Sequence, residues 1–89
     1  MERLFPVILR YKEIRYLDIS TNSILDLTLI DGFSNLVWLN ASKNQVNNLN
    51  VFNTEKLEHL QFLNLSGNKL KAVTPITLPS LKRLNLTEN

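Results

Sequence analysis

The chain has 89 residues with ten basic and eight acidic side chains, one histidine and no cysteine. This length bounds it to a single domain, 1–89, and a formal charge of +2 from scattered, interleaved charges leaves no footprint for nucleic acid or a membrane surface. The absence of cysteine excludes disulfide-rich caps and thiolate metal sites, and points to the cytoplasm or a similar reducing compartment.

Residues 1–13 hold a short apolar patch, Leu4 to Leu9, broken by Pro6 and followed by Arg10, Lys12 and Glu13. The patch is too short for a signal peptide or a membrane span. Val7, Ile8, Leu9 and Tyr11 are expected to supply the convex half of a partial repeat or cap. From Ile14 onward one frame recurs: apolar, two variable, apolar, one variable, apolar, two variable, Asn. It runs Ile14 to Asn22, Leu36 to Asn44, Leu60 to Asn68 and Leu81 to Asn89, with starts 22, 24 and 21 residues apart. Such spacing falls in the range of about 20–29 residues of leucine-rich repeats, and gives full repeats 14–35, 36–59 and 60–80 with a truncated last repeat 81–89.

Alternation by two inside each frame predicts a short parallel strand with its apolar members inward. Stacked frames give core columns Ile14/Leu36/Leu60/Leu81, Leu17/Leu39/Leu63/Leu84 and Ile19/Ala41/Leu65/Leu86. Ala41 is the small member of its column, so a neighbour is expected to lean in, or a cavity to remain at a cost of about 1–3 kcal/mol. Between frames, apolar residues recur every third position: Ile24, Leu27, Ile30, Phe33; Val46, Leu49, Phe52; Leu70, Val73, Ile76. That spacing predicts tight turns or 3₁₀ segments on a convex wall, and Pro75 and Pro79 argue against a long helix there. Leu57 with Glu58 and His59 occupies the longest spacer, where a helical turn is expected.

The ninth-position residues Asn22, Asn44, Asn68 and Asn89 are expected to be structural. A side-chain amide carries both donor and acceptor, and can bond backbone groups that the turn would otherwise orphan at about 1–3 kcal/mol each. Candidate binding residues lie at the outward strand positions. Tyr16, Trp38, Phe62 and Arg83 fall on adjacent strands about 4.8 Å apart, and aromatics with Arg are enriched at interface centres. The competing reading is a self-contained ladder, with Arg83 over Phe62 as a cation–π pair worth about 0.5–1 kcal/mol. Asp18, Asn40, Asn64 and Asn85 form a polar column beside them, suited to partner contact or to a self-satisfied Asn ladder. Ser20, Ser42, Ser66 and Thr87 are expected to help end the strands.

No catalytic constellation is legible. His59 beside Glu58 has no second histidine or any cysteine for a metal site or nucleophile pair, and reads as a solvated surface residue. Gly32 and Gly67 are isolated and form no phosphate-binding loop. We therefore expect no enzyme activity, cofactor or metal. Three sequons, at Asn40-Ala41-Ser42, Asn64-Leu65-Ser66 and Asn85-Leu86-Thr87, share one frame position and read as a by-product of the repeat. With Asn89 ending the fourth frame, Leu81, Leu84 and Leu86 are expected to present apolar surface that a longer array or another chain covers.

The frames resemble the intracellular subclass of leucine-rich repeats found in a protein phosphatase regulator, an outer-arm dynein light chain and tubulin-folding cofactors. Within it, Leu9 to Ser20 followed by Leu36-Val37-Trp38-Leu39 looks most like the leucine-rich-repeat protein of ciliary radial spokes. Glu55-Lys56-Leu57, Leu65-Ser66-Gly67-Asn68 and Leu78-Pro79-Ser80-Leu81-Lys82 are similar to it as well. The fold expected is an α/β repeat solenoid, an arc with a parallel sheet of four or five strands on its concave face and turns or 3₁₀ segments on its convex face. The resemblance implies a structural subunit of the axoneme with spoke proteins as partners. The alternative is a soluble adaptor or phosphatase regulator in the cytosol.

Overall fold

The computed structural model describes residues 13–89. The partial repeat or cap read from Val7, Ile8, Leu9 and Tyr11 lies outside the described residues. Four strands, β1 Tyr16–Asp18, β2 Trp38–Asn40, β3 Phe62–Asn64 and β4 Arg83–Asn85, form one sheet in the order β1-β2-β3-β4. Every pairing is parallel and in frame register, so Tyr16, Trp38, Phe62 and Arg83 align, as do Asp18, Asn40, Asn64 and Asn85. Parallel neighbours require a crossover, and each spacer supplies it on the opposite side of the core.

The ladder outlasts the strands. Ile19 and Thr21 donate N–H bonds to the Asn40 and Ser42 carbonyls at 2.9 Å, and Ala41 with Lys43 repeats the pattern to Asn64 and Ser66. Strand twist ends where Thr21, Lys43, Gly67 and Glu88 adopt left-handed backbone, φ 57°, 56°, 67° and 59°. All four stand at the eighth frame position, just before the recurring Asn. Gly67 alone takes this conformation without a steric penalty. A Cβ placed on it would meet Lys43 Cγ at 3.4 Å, an ordinary contact. Gly67→Ala should therefore lose only the backbone term, about 1 kcal/mol by urea denaturation, as three side chains already tolerate the equivalent position.

The spacing by three is explained by the turns it builds. Ile30 N–H donates to Leu27 O, Phe33 N–H to Ile30 O and Leu36 N–H to Phe33 O at 2.9–3.0 Å, so each bond brings the next apolar residue onto the same edge. Thr28–Gly32 and Asn50–Phe52 are 3₁₀ segments, packed against each other. Phe33 and Phe52 are the largest fully buried side chains, with Leu36, Leu39, Leu60, Leu63 and Leu65 completing the layer between sheet and turns. Ala41 is as enclosed as its neighbours, at 0% exposure.

Two expectations fail, in the second and third spacers. Glu58 and His59 form a hydrogen-bonded turn, closed by Leu60 N–H to Leu57 O at 3.3 Å, and not a helix; the winding occurs earlier, at Asn50–Phe52. In the third spacer the period of three breaks, leaving Leu70 buried but Val73 76% exposed. Pro75 has no N–H and pushes Thr74 toward extended backbone, so the chain does not wind. Thr77 instead pairs in parallel with Asn53, donating its N–H to Phe52 O at 2.8 Å and its hydroxyl to Asn53 Oδ1 at 2.7 Å.

Candidate protein-binding face

The outward face of the sheet is built by the frame's third and fifth positions. Trp38 and Phe62, directly paired across β2 and β3, stack with ring centroids 5.1 Å apart and planes 8° from parallel. Both are half-buried, flanked beneath by the fully buried Leu39 and Leu63. Tyr16 is 70% exposed on β1, and Arg83 is exposed on β4. Among the described residues no ring contact joins Tyr16 to Trp38, and no cation–π contact joins Arg83 to Phe62. The expected four-member ladder is thus a two-ring stack with a separate phenol and a separate guanidinium at its ends.

The polar column uses its oxygens locally. Asn40, Asn64 and Asn85 each accept, through Oδ1, the backbone N–H two residues on, from Ser42, Ser66 and Thr87 at 3.0–3.1 Å. Asp18 does the same for Ser20 at 2.9 Å. Hydrogen bonding from the Ser20 side chain, then from its backbone N–H, holds the Asp18 carboxyl below the usual carboxylate range. This corrects the idea of a self-satisfied Asn ladder: bonds run along each chain, not between strands. The Nδ2 groups of Asn40, Asn64 and Asn85 have no partner among the described residues.

The ninth-position amides lie on the inner side of the turn. Asn44, 4% exposed, donates through Nδ2 to Ile19 O, Ala41 O and Ser42 O at 3.0–3.2 Å and accepts Ile24 N–H at 3.1 Å. Asn68 repeats this one repeat on, donating to Ala41 O, Leu65 O and Ser66 O and accepting Val46 N–H. Asn89 donates to Leu65 O, Leu86 O and Thr87 O and accepts Leu70 N–H. Asn22 makes the two local bonds, to Ile19 O and Ser20 O. Asn44, Asn68 and Asn89 therefore tie their own turns to the preceding repeat.

Two features escaped the sequence reading. Asp26 and Asn48, four residues beyond Asn22 and Asn44, accept the N–H of Thr28 and Asn50 at 2.8 and 3.0 Å, and so start the two 3₁₀ segments. The Thr28 hydroxyl also reaches Asp26, and these two bonds lower that carboxyl's pKa. The second is a groove of about 350 Å³ beside the strand starts, lined by Arg15, Asn35, Val37, His59, Gln61 and Ser80. Its signal was available, since Arg15, Val37 and Gln61 share the second frame position. His59 lies on it, 3.3 Å from Glu58, with both side chains exposed.

Among the described residues no group of three or more His, Cys, Asp or Glu is placed to hold a metal ion, and no helix is long and apolar enough to cross a membrane. A parallel sheet in frame register, two crossovers wound into 3₁₀ segments and an amide at every ninth frame position fit a leucine-rich-repeat fold. The leucine-rich-repeat family is supported by a family model, described as leucine rich repeats (2 copies), that matches residues 58–89. The chain is also similar to leucine-rich repeat-containing protein 23 of Bos taurus and of Homo sapiens, 32% identical to each over 79 residues. These matches cover 89% of this chain and 22% of each relative, so the chain spans about a fifth of the curated relatives' length. Proteins of this family generally act in protein–protein interaction and are typically non-catalytic.

Proposed function

We propose that the chain is a non-catalytic scaffold that binds another protein through the outward face of its sheet, the concave face of a solenoid arc. The observation that carries this reading is the Trp38–Phe62 stack, two half-buried rings held at 5.1 Å on adjacent strands beside unused Asn amide donors. Rigid aromatic pairs bury large area at little entropic cost, which is why they anchor interfaces. Tyr16, Arg83, Asp18, Asn40, Asn64 and Asn85 would surround that anchor, while Asn22, Asn44, Asn68 and Asn89 hold the frame. We take 1–89 as one domain.

The assembly we propose is the ciliary axoneme, with spoke components as partners and the cytoplasm, within the cilium, as location. Support comes from the similarity of residues 9–20, 36–39, 65–68 and 78–82 to the leucine-rich-repeat protein of radial spokes. Tagging the native protein tests this. After detergent extraction it should stay with axonemes and co-sediment with spoke components released by salt. Recovery in the soluble fraction would contradict the axonemal reading and favour a cytosolic adaptor or phosphatase regulator.

A further inference from the structure

We infer that the occupant of the sheet face is an acidic, extended peptide segment bearing an aromatic or large apolar side chain, laid across the strands. The inference rests on the sheet-face reading above and adds the chemistry of the partner. The groove of Arg15, Asn35, Val37, His59, Gln61 and Ser80 draws its lining from the three full repeats, two residues from each, so it runs across β1, β2 and β3. Arg15, Val37 and Gln61 immediately precede Tyr16, Trp38 and Phe62, which places the groove alongside the aromatic stack. Two inter-strand steps of about 4.8 Å span roughly 10 Å, the reach of about three extended residues at about 3.3 Å each.

Each of Asn40, Asn64 and Asn85 leaves its amide donor over on this face. Their oxygens already accept backbone N–H groups, while their Nδ2 donors have no partner among the described residues. Charges at the second, third and fifth frame positions are Arg15, Lys82 and Arg83 against one carboxylate, Asp18, which accepts the Ser20 N–H. Neither Arg15, Lys82 nor Arg83 makes an ion pair with any described residue, whereas on the 3₁₀ side Lys56 meets Asp31 at 3.7 Å. Glu13 and Glu58 lie before the strands, and Lys43 and Glu88 after them. A face rich in cationic and amide donors around an aromatic anchor is matched by carboxylates around an apolar side chain. A nucleic acid fits less well, because Trp38 and Phe62 spend their facing ring surfaces on each other and leave no vacant face between them for a base.

The test is selection from a random dodecapeptide phage library on the full chain, with an oligouridylate probe run in parallel. Selected peptides should be rich in Asp and Glu with an aromatic or large apolar residue. They should weaken about tenfold on Lys82→Gln combined with Arg83→Gln, which lie at exposed positions, and weaken with added salt. Neutral or basic peptides that lose binding on Trp38→Ala with Phe62→Ala would overturn the acidic chemistry and leave the sheet-face reading standing. Peptides indifferent to that aromatic replacement, no selected peptide at all, or tighter binding of oligouridylate would overturn both.

Discussion

Asn44→Leu should cost about 2–4 kcal/mol of stability, read as a lowered urea midpoint in far-ultraviolet circular dichroism. The magnitude follows from which groups it orphans. Asn44 makes four bonds, but Ile19 O keeps Asn22, Ala41 O keeps Asn68, and Ser42 O keeps the Thr21 N–H. Only the Ile24 N–H, which bonds the Asn44 oxygen at 3.1 Å, is left without its partner in a buried setting. One orphaned buried donor costs about 1–3 kcal/mol, and forcing a leucyl group of different shape into the turn adds to it. Asn22→Leu, which removes only two local bonds from a half-buried side chain, should cost less than half as much. Equal losses at both positions would contradict this account.

Asn44→Asp separates donor from acceptor. It keeps an oxygen for Ile24 N–H but aims a carboxylate at the carbonyls of Ile19, Ala41 and Ser42. Burial with three carbonyls facing the carboxylate outweighs the one Ile24 N–H donor and raises the folded-state pKa above the unfolded value of about 3.9. The variant's added instability should therefore be absent below that value, grow as pH rises through it, and level off beyond the raised folded pKa. A pH-independent loss would show that the site is wet enough to solvate the charge.

Trp38→Ala with Phe62→Ala should lower affinity for the natural partner at least 100-fold while leaving the circular dichroism spectrum unchanged. Interface anchors of this type cost about 2 kcal/mol or more each on truncation, so two together exceed two orders of magnitude. Folding loses less: the stack contributes about 0.5–1.5 kcal/mol beyond burial, and the side chains beneath it, Leu39 and Leu63, are untouched and fully buried. Trp38→Phe should retain most binding, because the stacked geometry with Phe62 survives. Loss of binding in Trp38→Phe equal to that of the alanine pair would point to indole-specific recognition.

Strand positions and their register were legible in the sequence because one spacing governs both. A frame that puts Leu39 and Leu63 inward must put Trp38 and Phe62 outward, and a near-constant repeat length aligns them. The amide network was legible for the same reason, since Asn alone among the small polar residues offers donors and an acceptor to a buried turn. What followed from no spacing was the behaviour of individual side chains. Arg83 aligns with Phe62 yet makes no cation–π contact with it, because register fixes the backbone and leaves a long side chain free to take another rotamer. The fifth-position Asn residues turn along their own chain, because an Asn side chain readily bonds the backbone N–H two residues on. Val73 left the apolar stripe because Pro75 overrode the period. Left-handed Thr21, Lys43 and Glu88 were hidden because glycine marks this position once, at Gly67.

Which face meets the partner is the central claim, and site-directed photo-crosslinking measures it most directly. Benzoylphenylalanine replacing Phe62 keeps an aromatic ring on the sheet face, and the same group replacing Leu29, 44% exposed on the 3₁₀ side, serves as the opposite-face probe. The account predicts covalent capture of the partner from position 62 and none from position 29. Capture from position 29 with none from position 62 would contradict it.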